Sequence, residues 1–415
     1  MNLMQFGGGD WISSIIWFIL LFVFILFYPR LMIYQVVAKI QKDLDDIFLM
    51  ADKGRDRIMK KITKKPSKEL KEKISNFMEF FIATPVTLDP YGIVNKIHMV
   101  IKHAEDRELE FVREIAPNLS DEEVKDVSTA LIHNAGIYQI AKIIRHYLEL
   151  IKRYRLLQIA MLIQMQIPLI KKVADALLKS VEAFVDNAPV GDGIGPLVIA
   201  SMIPEKAKVV KLKDEQFAYA KVKIEGKDVI LAKALGPGTT IGYPGKFVEK
   251  ISKREKIDRI ITVDAAGALY GEKDGVVMDG VGVGQRGNEI LSYHSFQIEE
   301  VALKKGIPID SIGIKEVGEN AIYPMKEEIY KSLKTTVERI KELIRKGKKN
   351  EKILVIGFGN TSGVGNNRSS LKLAEEKIKK NIMKMKKEER ERKKKQQSFW
   401  YKLGIFGASS QFLLR

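Results

Sequence analysis

The sequence predicts a helical, membrane-anchored amino-terminal half, followed by an α/β domain and a basic helical tail. Three observations lead to this fold class. Residues 11–28 form an uncharged run that is long and apolar enough to cross a membrane. Residues 31–184 show the apolar periodicity of amphipathic helices. From residue 185 onward, short runs rich in Val and Ile alternate with helical segments, which predicts a mixed, mainly parallel sheet with helices on both faces. We therefore divide the chain into an anchor (1–30), a helical module (31–184), an α/β domain (185–366) and a tail (367–415).

The composition excludes several classes of site. The 415 residues contain no cysteine, so disulfide bonds, thiolate nucleophiles and cysteine metal ligands are excluded. The net charge is +18, but residues 368–415 alone hold 15 Lys and Arg against 5 Asp and Glu. The rest of the chain is only mildly basic, which argues against a protein that binds nucleic acid along its whole length.

The uncharged amino-terminal run is predicted to be a transmembrane helix. At ~1.5 Å per residue it measures about 27 Å, close to the roughly 30 Å hydrocarbon core of a bilayer. Trp11, Trp17 and Tyr28 are candidate interfacial aromatic residues. A cleaved signal peptide would need an early basic region, and no Lys or Arg precedes Arg30. Because the first cations follow the run, we expect a single-pass anchor in the cell membrane, with the bulk of the chain in the cytoplasm.

The helical module shows no motif for catalysis or metal binding. Its most hydrophobic segment, residues 156–170, contains three Gln and Pro168 and is short for a membrane span. We expect a core helix or a helix on the membrane surface there. The histidines of the module lack the spacing of metal ligands, so ordinary surface or core positions are expected for them. They are His98, His103, His133 and His146.

The α/β domain holds the most informative stretch, Lys-Ile-Leu-Val-Ile-Gly-Phe-Gly-Asn at residues 352–360. This pattern predicts a buried parallel strand that ends in a tight turn. Its natural continuation lies far earlier, in the glycine loop Val-Gly-Asp-Gly-Ile-Gly-Pro at residues 190–196. Ligands bind outside the carboxyl ends of strands in open α/β sheets, so we expect the two segments to meet and to border a crevice. The residues predicted to line it are Gly191, Gly193, Gly236, Thr239, Gly359 and Asn360.

Two glycine-rich runs, residues 280–287 and 357–365, raise the question of a phosphate site. Neither contains the Gly-Lys-Ser/Thr sequence of a P-loop. Turn or lid roles are expected for them instead, and no nucleotide cofactor is predicted.

Four segments of the α/β domain occur in an informative combination. They are the strand and Gly-x-Gly-Asn turn at 353–360, the Gly-Asp-Gly-Ile-Gly-Pro loop at 191–196, Val-Asp-Ala at 263–265, and a last strand followed by Tyr-Pro-Met at 323–325. Together they resemble the peptidases that mature hydrogenase large subunits, over about 175 residues. The resemblance implies a phosphorylase-like α/β fold that is circularly permuted, since the family's first strand comes last here. The plan of the whole chain also resembles archaeal membrane-anchored proteins.

The same resemblance implies a site. The family's acid in the loop corresponds to Asp192, its strand-end acid to Asp264 and its histidine to His294. These residues would contact a divalent ion of the nickel or zinc class, and in the family the nickel is already seated in the protein substrate, from which a C-terminal extension is cleaved. Gly191 stands where the family has a second acid, which changes the expected geometry.

Each of these three residues also has an ordinary structural explanation. Asp192 suits a helix N-cap, Asp264 suits the loop after a strand, and His294 suits the protein surface. No catalytic residue is predicted.

The tail combines a Lys- and Glu-rich helix with an aromatic cluster at residues 399–406. Contact with anionic lipid, a solvated tail and RNA or ribosome binding are all compatible with this composition. Two functional classes follow for the whole chain. One is a membrane-anchored peptidase that is metal-dependent or recognises nickel. The other is a non-catalytic membrane scaffold that binds a ligand or a protein partner.

Overall fold

The computed structural model describes residues 10–83, 92–284 and 292–402. The amino-terminal half contains α1 (Asp10–Ile62), α2 (Lys68–Phe77), α3 (Ile93–Ile115), α4 (Asp121–Tyr154) and α5 (Leu157–Val185). The second half contains a 3-10 turn (Gly191–Gly193), α6 (Ile194–Met202), β1 (Val209–Leu212), β2 (Phe217–Ile224), β3 (Lys227–Ala234), α7 (Pro244–Arg254), β4 (Arg259–Ala268), β5 (Val277–Val281), α8 (Ser292–Lys305), β6 (Ile309–Val317), α9 (Gly318–Ile322), α10 (Glu327–Lys346), β7 (Ile353–Gly357), a 3-10 turn (Arg368–Leu371) and α11 (Lys372–Lys402). The predicted combination of a helical part with an α/β part is confirmed.

Helix α1 continues without a break from the predicted anchor into the helical module. Its 53 residues measure about 80 Å in length. Residues 13–28 are exposed along their whole length, including Trp17 and Tyr28. Within the described residues, α1 is the helix whose length and apolar composition would allow it to cross a membrane. The side chain of Trp11 and residues 403–415 of the tail lie outside the described part of the chain.

The part of α1 that follows the apolar run packs with α4 and α5. Their shared core contains Ile40 and Leu44 of α1, Ile144 and Leu148 of α4, and Ile167 of α5. The segment at 156–170 is therefore partly a core helix, which was one of the two expectations for it. Its other face, which includes Met161, Leu162 and Met165, is exposed.

The sheet has the strand order β1-β2-β3-β7-β4-β6-β5. Its four central strands, β3, β7, β4 and β6, are parallel, and the outer strands pair antiparallel. The late strand β7 lies at the centre, where Ile353 pairs with Val229 on one side and Arg259 on the other. All five residues of β7 are buried because both faces of the sheet are covered. Strand β5 was not predicted, since its Met-Asp-Gly sequence lacks an apolar run.

Alternation along the strands divides the core into two layers. Ile261 and Val355 pack under α6 and α10, whereas Ile260 and Leu354 pack under α7 and α8. The turns after the carboxyl ends of β3 and β7 contact α4 of the helical module.

Candidate active or binding site in the cleft between the two halves

The turn after β7 and the glycine loop before α6 are in direct contact. The backbone N–H of Val190 donates to Thr361 Oγ1 at 3.2 Å. Gly193 is required at its position, because a Cβ atom there would lie 2.0 Å from Thr361 Cγ2. The expectation that these two distant segments meet, with the strand inside the sheet rather than at its edge, is confirmed.

The turn itself is held by Asn360. Gly359 permits the turn with a left-handed φ of 66°. The backbone of Asn360 then exchanges hydrogen bonds with Thr240, at 2.7 and 3.1 Å. The side-chain Nδ2 of Asn360 donates to the carbonyl oxygen of Gly238 at 2.9 Å. Asn360 therefore joins the β7 turn to the loop that follows β3.

A cleft of about 320 Å³ opens above these turns, between the α/β domain and the helical module. Four of the six predicted crevice residues line it: Gly193, Thr239, Gly359 and Asn360. Gly191 and Gly236 do not line it. The backbone N–H of Gly236 instead donates to Asn366 Oδ1 at 2.9 Å, behind the cleft wall.

The polar lining comes from both halves of the chain. The contribution of the helical module was not predicted, because its sequence shows no motif for catalysis or binding. The module contributes Glu105, Glu108, Lys125, Ser128, Thr129 and His133, and the α/β domain contributes Asp192, Gln216, Thr239, Thr240, Asn360 and Thr361.

A signal for part of this lining does exist in the sequence. The buried stripe of α3 contains Ile101, Ala104 and Val112, and Glu108 occupies a position in the same stripe. An acidic residue at an apolar helical position is uncommon unless the group is paired or functional.

The carboxyl groups of α3 have unusual ionisation. Burial raises the pKa of both Glu105 and Glu108 to about 7, and the charge of Glu105 adds to the rise for Glu108. Glu105 Oε2 accepts a hydrogen bond from the hydroxyl of Tyr243 at 3.3 Å. Lys125 is the basic residue of the lining, and its Nζ donates to Gln216 Oε1 at 3.0 Å. Carboxyl groups therefore outnumber amino groups in the cleft.

Asp192 extends this acidic character toward the sheet. Its side chain is exposed to the cleft, and the protein around it still excludes enough water to raise its pKa. Burial and the charge of Asp192 raise the pKa of Asp264 well above its ordinary value. Asp264 is buried on β4, and its Oδ1 accepts the backbone N–H of Ala265 at 2.9 Å. The expectation that Asp264 follows a strand end is wrong, since β4 continues to Ala268.

Glu316 of β6 completes this acidic group and was not singled out from the sequence. It is 1% exposed, and neither carboxylate oxygen has a hydrogen-bond partner within the described structure. Burial, followed by the charge of Asp192, raises the pKa of Glu316 well above its ordinary value. Its only sequence signal is its place near the carboxyl end of a strand beside β4.

His294 lies apart from these acids. It is on α8, which covers the opposite face of the sheet from α6, and its ring contacts that of Tyr293 at 3.9 Å between centroids. With 1% exposure it is a core residue, so the surface alternative is wrong. Burial, together with the charge of His98, lowers the pKa of His294 to about 3.

The positions of Asp192, Asp264 and His294 bear on the predicted metal site. No group of three or more histidine and acidic side chains among the described residues is arranged to hold a metal ion. Asp192, Asp264 and His294 therefore do not fit a three-ligand centre. Asp192 is not an N-cap either, because the N-cap residue of α6 is Gly193 and no side chain caps the helix. Metal binding in any other form stays a prediction.

Asp126 of α4 fastens the two walls of the cleft together. One of its carboxylate oxygens accepts both the backbone N–H of Thr239, at 2.9 Å, and the hydroxyl of Thr239, at 2.7 Å. The other oxygen accepts the hydroxyl of Ser362 at 2.6 Å. The helical module therefore bonds directly to the turns that follow β3 and β7.

Two family models match the chain, and together they cover most of it. Residues 14–187 match the model described as "Protein of unknown function (DUF1512) N-terminal domain". Residues 190–365 match the model described as "Domain of unknown function (DUF1512) C-terminal". No curated protein matches the chain.

Proposed function

This chain belongs to the DUF1512 family, and from the cleft we propose that it is a membrane-anchored protein that binds a small cationic ligand between its two halves. The observation that carries the proposal is the excess of carboxyl groups in the cleft, where the described lining contains Glu105, Glu108 and Asp192 but one amino group, on Lys125. A ligand with an amine would supply the missing counter-charge and would favour ionisation of both glutamates. The volume suits a small molecule or one side chain rather than a folded partner.

Thermal unfolding of the full chain tests this proposal. We expect 1,4-diaminobutane to raise the melting temperature and succinate of the same length to have no such effect. Glu108→Gln should reduce the shift with the diamine. Glu110→Gln is the matched control, since Glu110 is exposed on the same helix. Equal stabilisation by succinate, or an undiminished diamine shift in a Glu105→Gln and Glu108→Gln double variant, would contradict the proposal.

The membrane anchor is the second part of the proposal. It is supported by the exposed apolar residues 13–28 of α1 and by the cations that follow them, which favour a cytoplasmic location for the bulk of the chain. The cysteine-free sequence allows a direct test with Leu49→Cys, an exposed position beyond the span. A membrane-impermeant maleimide should label it only after the cells are opened. Labelling of intact cells would show that the protein has the opposite orientation in the membrane.

A hydrogenase-maturation-type peptidase is the alternative function. It is favoured by the contact between the turn at 358–361 and the loop at 190–193, and by the electrostatic coupling of Asp192 to Asp264. The resemblance implies that nickel is carried by the substrate and that these acids contact it there, so the acids of the chain alone are expected to bind free nickel weakly. Nickel titration of the full chain checks this alternative, which requires binding that weakens in Asp192→Asn. Unchanged binding in that variant would exclude it.

The tail supplies a further proposed contact, with anionic lipid. Near its start, Lys377 Nζ donates to the carbonyl oxygen of Asp186 at 2.7 Å, so α11 begins against the helical module. Its basic residues continue beyond this contact and suit a negatively charged leaflet. Binding of the full chain to vesicles with and without phosphatidylglycerol tests this, and RNA is the competing partner.

A further inference from the structure

Three polar contacts set the alignment of α5 along α1. Lys171 Nζ of α5 contacts Asp43 and Asp46 of α1 at 2.9 and 2.7 Å, across sequence separations of 128 and 125. Fifteen residues further on, Asp186, directly after the end of α5, contacts Arg57 at 2.5 Å, across a separation of 129. The near-constant separation means that the two helices run in the same direction. The first residue of α5, Leu157, is therefore level with about residue 30 of α1.

The connection between α4 and α5 consequently lies where α1 leaves its apolar segment. Helix α4 ends at Tyr154, Arg155 turns the chain with a left-handed φ of 54°, and α5 begins at Leu157. Ile151 before the turn and Ala160 after it share a buried cluster with Val36 of α1, which confirms the level from apolar packing.

The side chains around this hairpin tip are apolar and exposed. Exposure is 58% for Tyr154, 50% for Met161, 53% for Leu162 and 67% for Met165. On α1, Tyr34 is also exposed, at 74%, and lies at about the same level as Leu162. Several large apolar side chains exposed at one end of a hairpin are typical of an interaction site.

Within the hairpin sequence itself the charges are of one sign. From residue 150 to residue 174 the chain has no Asp or Glu. Its cations at the tip are Lys152, Arg153 and Arg155, whereas Lys171, farther along α5, is paired with Asp43 and Asp46 of α1. Apolar side chains combined with flanking cations are the composition of protein segments that lie at the surface of an anionic bilayer.

We propose that the tip of the α4–α5 hairpin, residues 152–162, is a second membrane contact that lies in the headgroup layer beside the point where α1 emerges. This rests on the proposed membrane anchor. Leu162 is level with about residue 35 of α1, which places it within about 10 Å of the end of the apolar span, the depth over which interfacial helices bury their apolar face. The hairpin would fix the orientation of the helical module, and with it the cleft, relative to the membrane.

The absence of cysteine allows the depth of single positions to be measured in the full chain. Leu162→Cys, Leu49→Cys and Leu20→Cys would each carry an environment-sensitive fluorophore, in vesicles of phosphatidylcholine and phosphatidylglycerol that contain brominated lipid. Leu49 is the matched control, being exposed on α1 well beyond the span. We expect the brominated lipid to quench the label at 162 strongly, at 20 strongly, and at 49 little.

The outcomes separate the two proposals. Quenching at 20 with none at 162 would overturn the hairpin contact and leave the anchor in place. No quenching at either position would overturn the anchor, and the hairpin contact with it. The label at 162 could instead become shielded from water only when the protein density in the vesicle rises, without quenching by brominated lipid. That result would also overturn the proposal, and it would indicate contact with a second copy of the chain.

Discussion

At the scale of single residues, the surroundings rather than the residue type set the charge of the cleft. Glu105 and Glu108 belong to the inward side of α3, and burial raises the pKa of each to about 7. Near neutral pH each carboxyl group is therefore partly protonated. A cation that enters the cleft would displace these protons, so ligand binding and proton release are expected to be coupled.

The pH dependence of stability tests these pKa values. The pKa of Glu108 in the folded state lies above its ordinary value of 4.5. The contribution of Glu108 to the free energy of unfolding is therefore fully present below pH 4.5 and is lost as the pH rises through about 7. At about 1.4 kcal/mol per pH unit, the loss from Glu108 is at most about 3.5 kcal/mol. Glu108→Gln should therefore make the free energy of unfolding less dependent on pH between 5 and 8, as measured by denaturant unfolding. The exposed control Glu110→Gln should leave the dependence unchanged, and an equal effect there would contradict the assignment.

At the scale of secondary-structure elements, the site depends on how closely two short turns approach. The loop at 190–193 belongs to the start of α6, and the turn at 358–361 belongs to the end of β7. Their closest approach is at Gly193 and Thr361, where no side chain fits on the glycine. The helix and the strand are regular, so the exact position of Asp192 is decided by this contact.

Substitution at this contact should be destabilising and partly reversible. Gly193→Ala would place a Cβ atom 2.0 Å from Thr361 Cγ2, and overpacking of this kind costs about 2 kcal/mol. Thr361→Ser removes that methyl group and keeps the hydroxyl that accepts from Val190, so the double variant should recover part of the loss. Thermal unfolding of the wild type, both single variants and the double variant measures the coupling. Strictly additive effects would show that the two residues do not meet.

At the scale of the whole molecule, the two halves are joined through the walls of the cleft. Asp126 bonds α4 to Thr239 and Ser362. On the other side of the sheet, His98 of α3 contacts the ring of Tyr243 at 5.3 Å between centroids. A ligand bound between the halves would add contacts across the same junction. Ligand binding would therefore also affect the membrane-proximal helices.

Removal of the Asp126 carboxylate should uncouple the halves. Asp126→Ala deletes three hydrogen bonds to a buried acid and is expected to cost about 3 kcal/mol. Calorimetry of the wild type should show one unfolding transition, and the variant should show two. Asp121→Ala, at an exposed position in the first turn of the same helix, should retain the single transition. Two transitions in the wild type would mean that the junction does not couple the halves.

The parts of the fold that could be predicted are those with a local cause. The apolar run of α1, the strand β7 and the glycine loop at 190–193 each follow from residue types within one short segment. Even the meeting of β7 with that loop could be expected, because parallel strands end at a common edge. The edge strand β5 could not, since it is held by pairing with β6 rather than by an apolar pattern.

By itself, the sequence determined that this protein has an apolar amino-terminal helix, a helical module and a mixed sheet in which β7 is a buried strand. Only the tertiary structure decided which side chains share the cleft, because Glu105, Lys125, Asp192 and Gln216 come from segments far apart in the chain. The tertiary structure also placed His294 across the sheet from Asp192. The apolar periodicity of a helix predicts which of its faces is buried, but it does not predict which side of the sheet the helix covers. Burial then set the ionisation of the carboxyl groups, and burial is a property of the packed molecule rather than of any one segment.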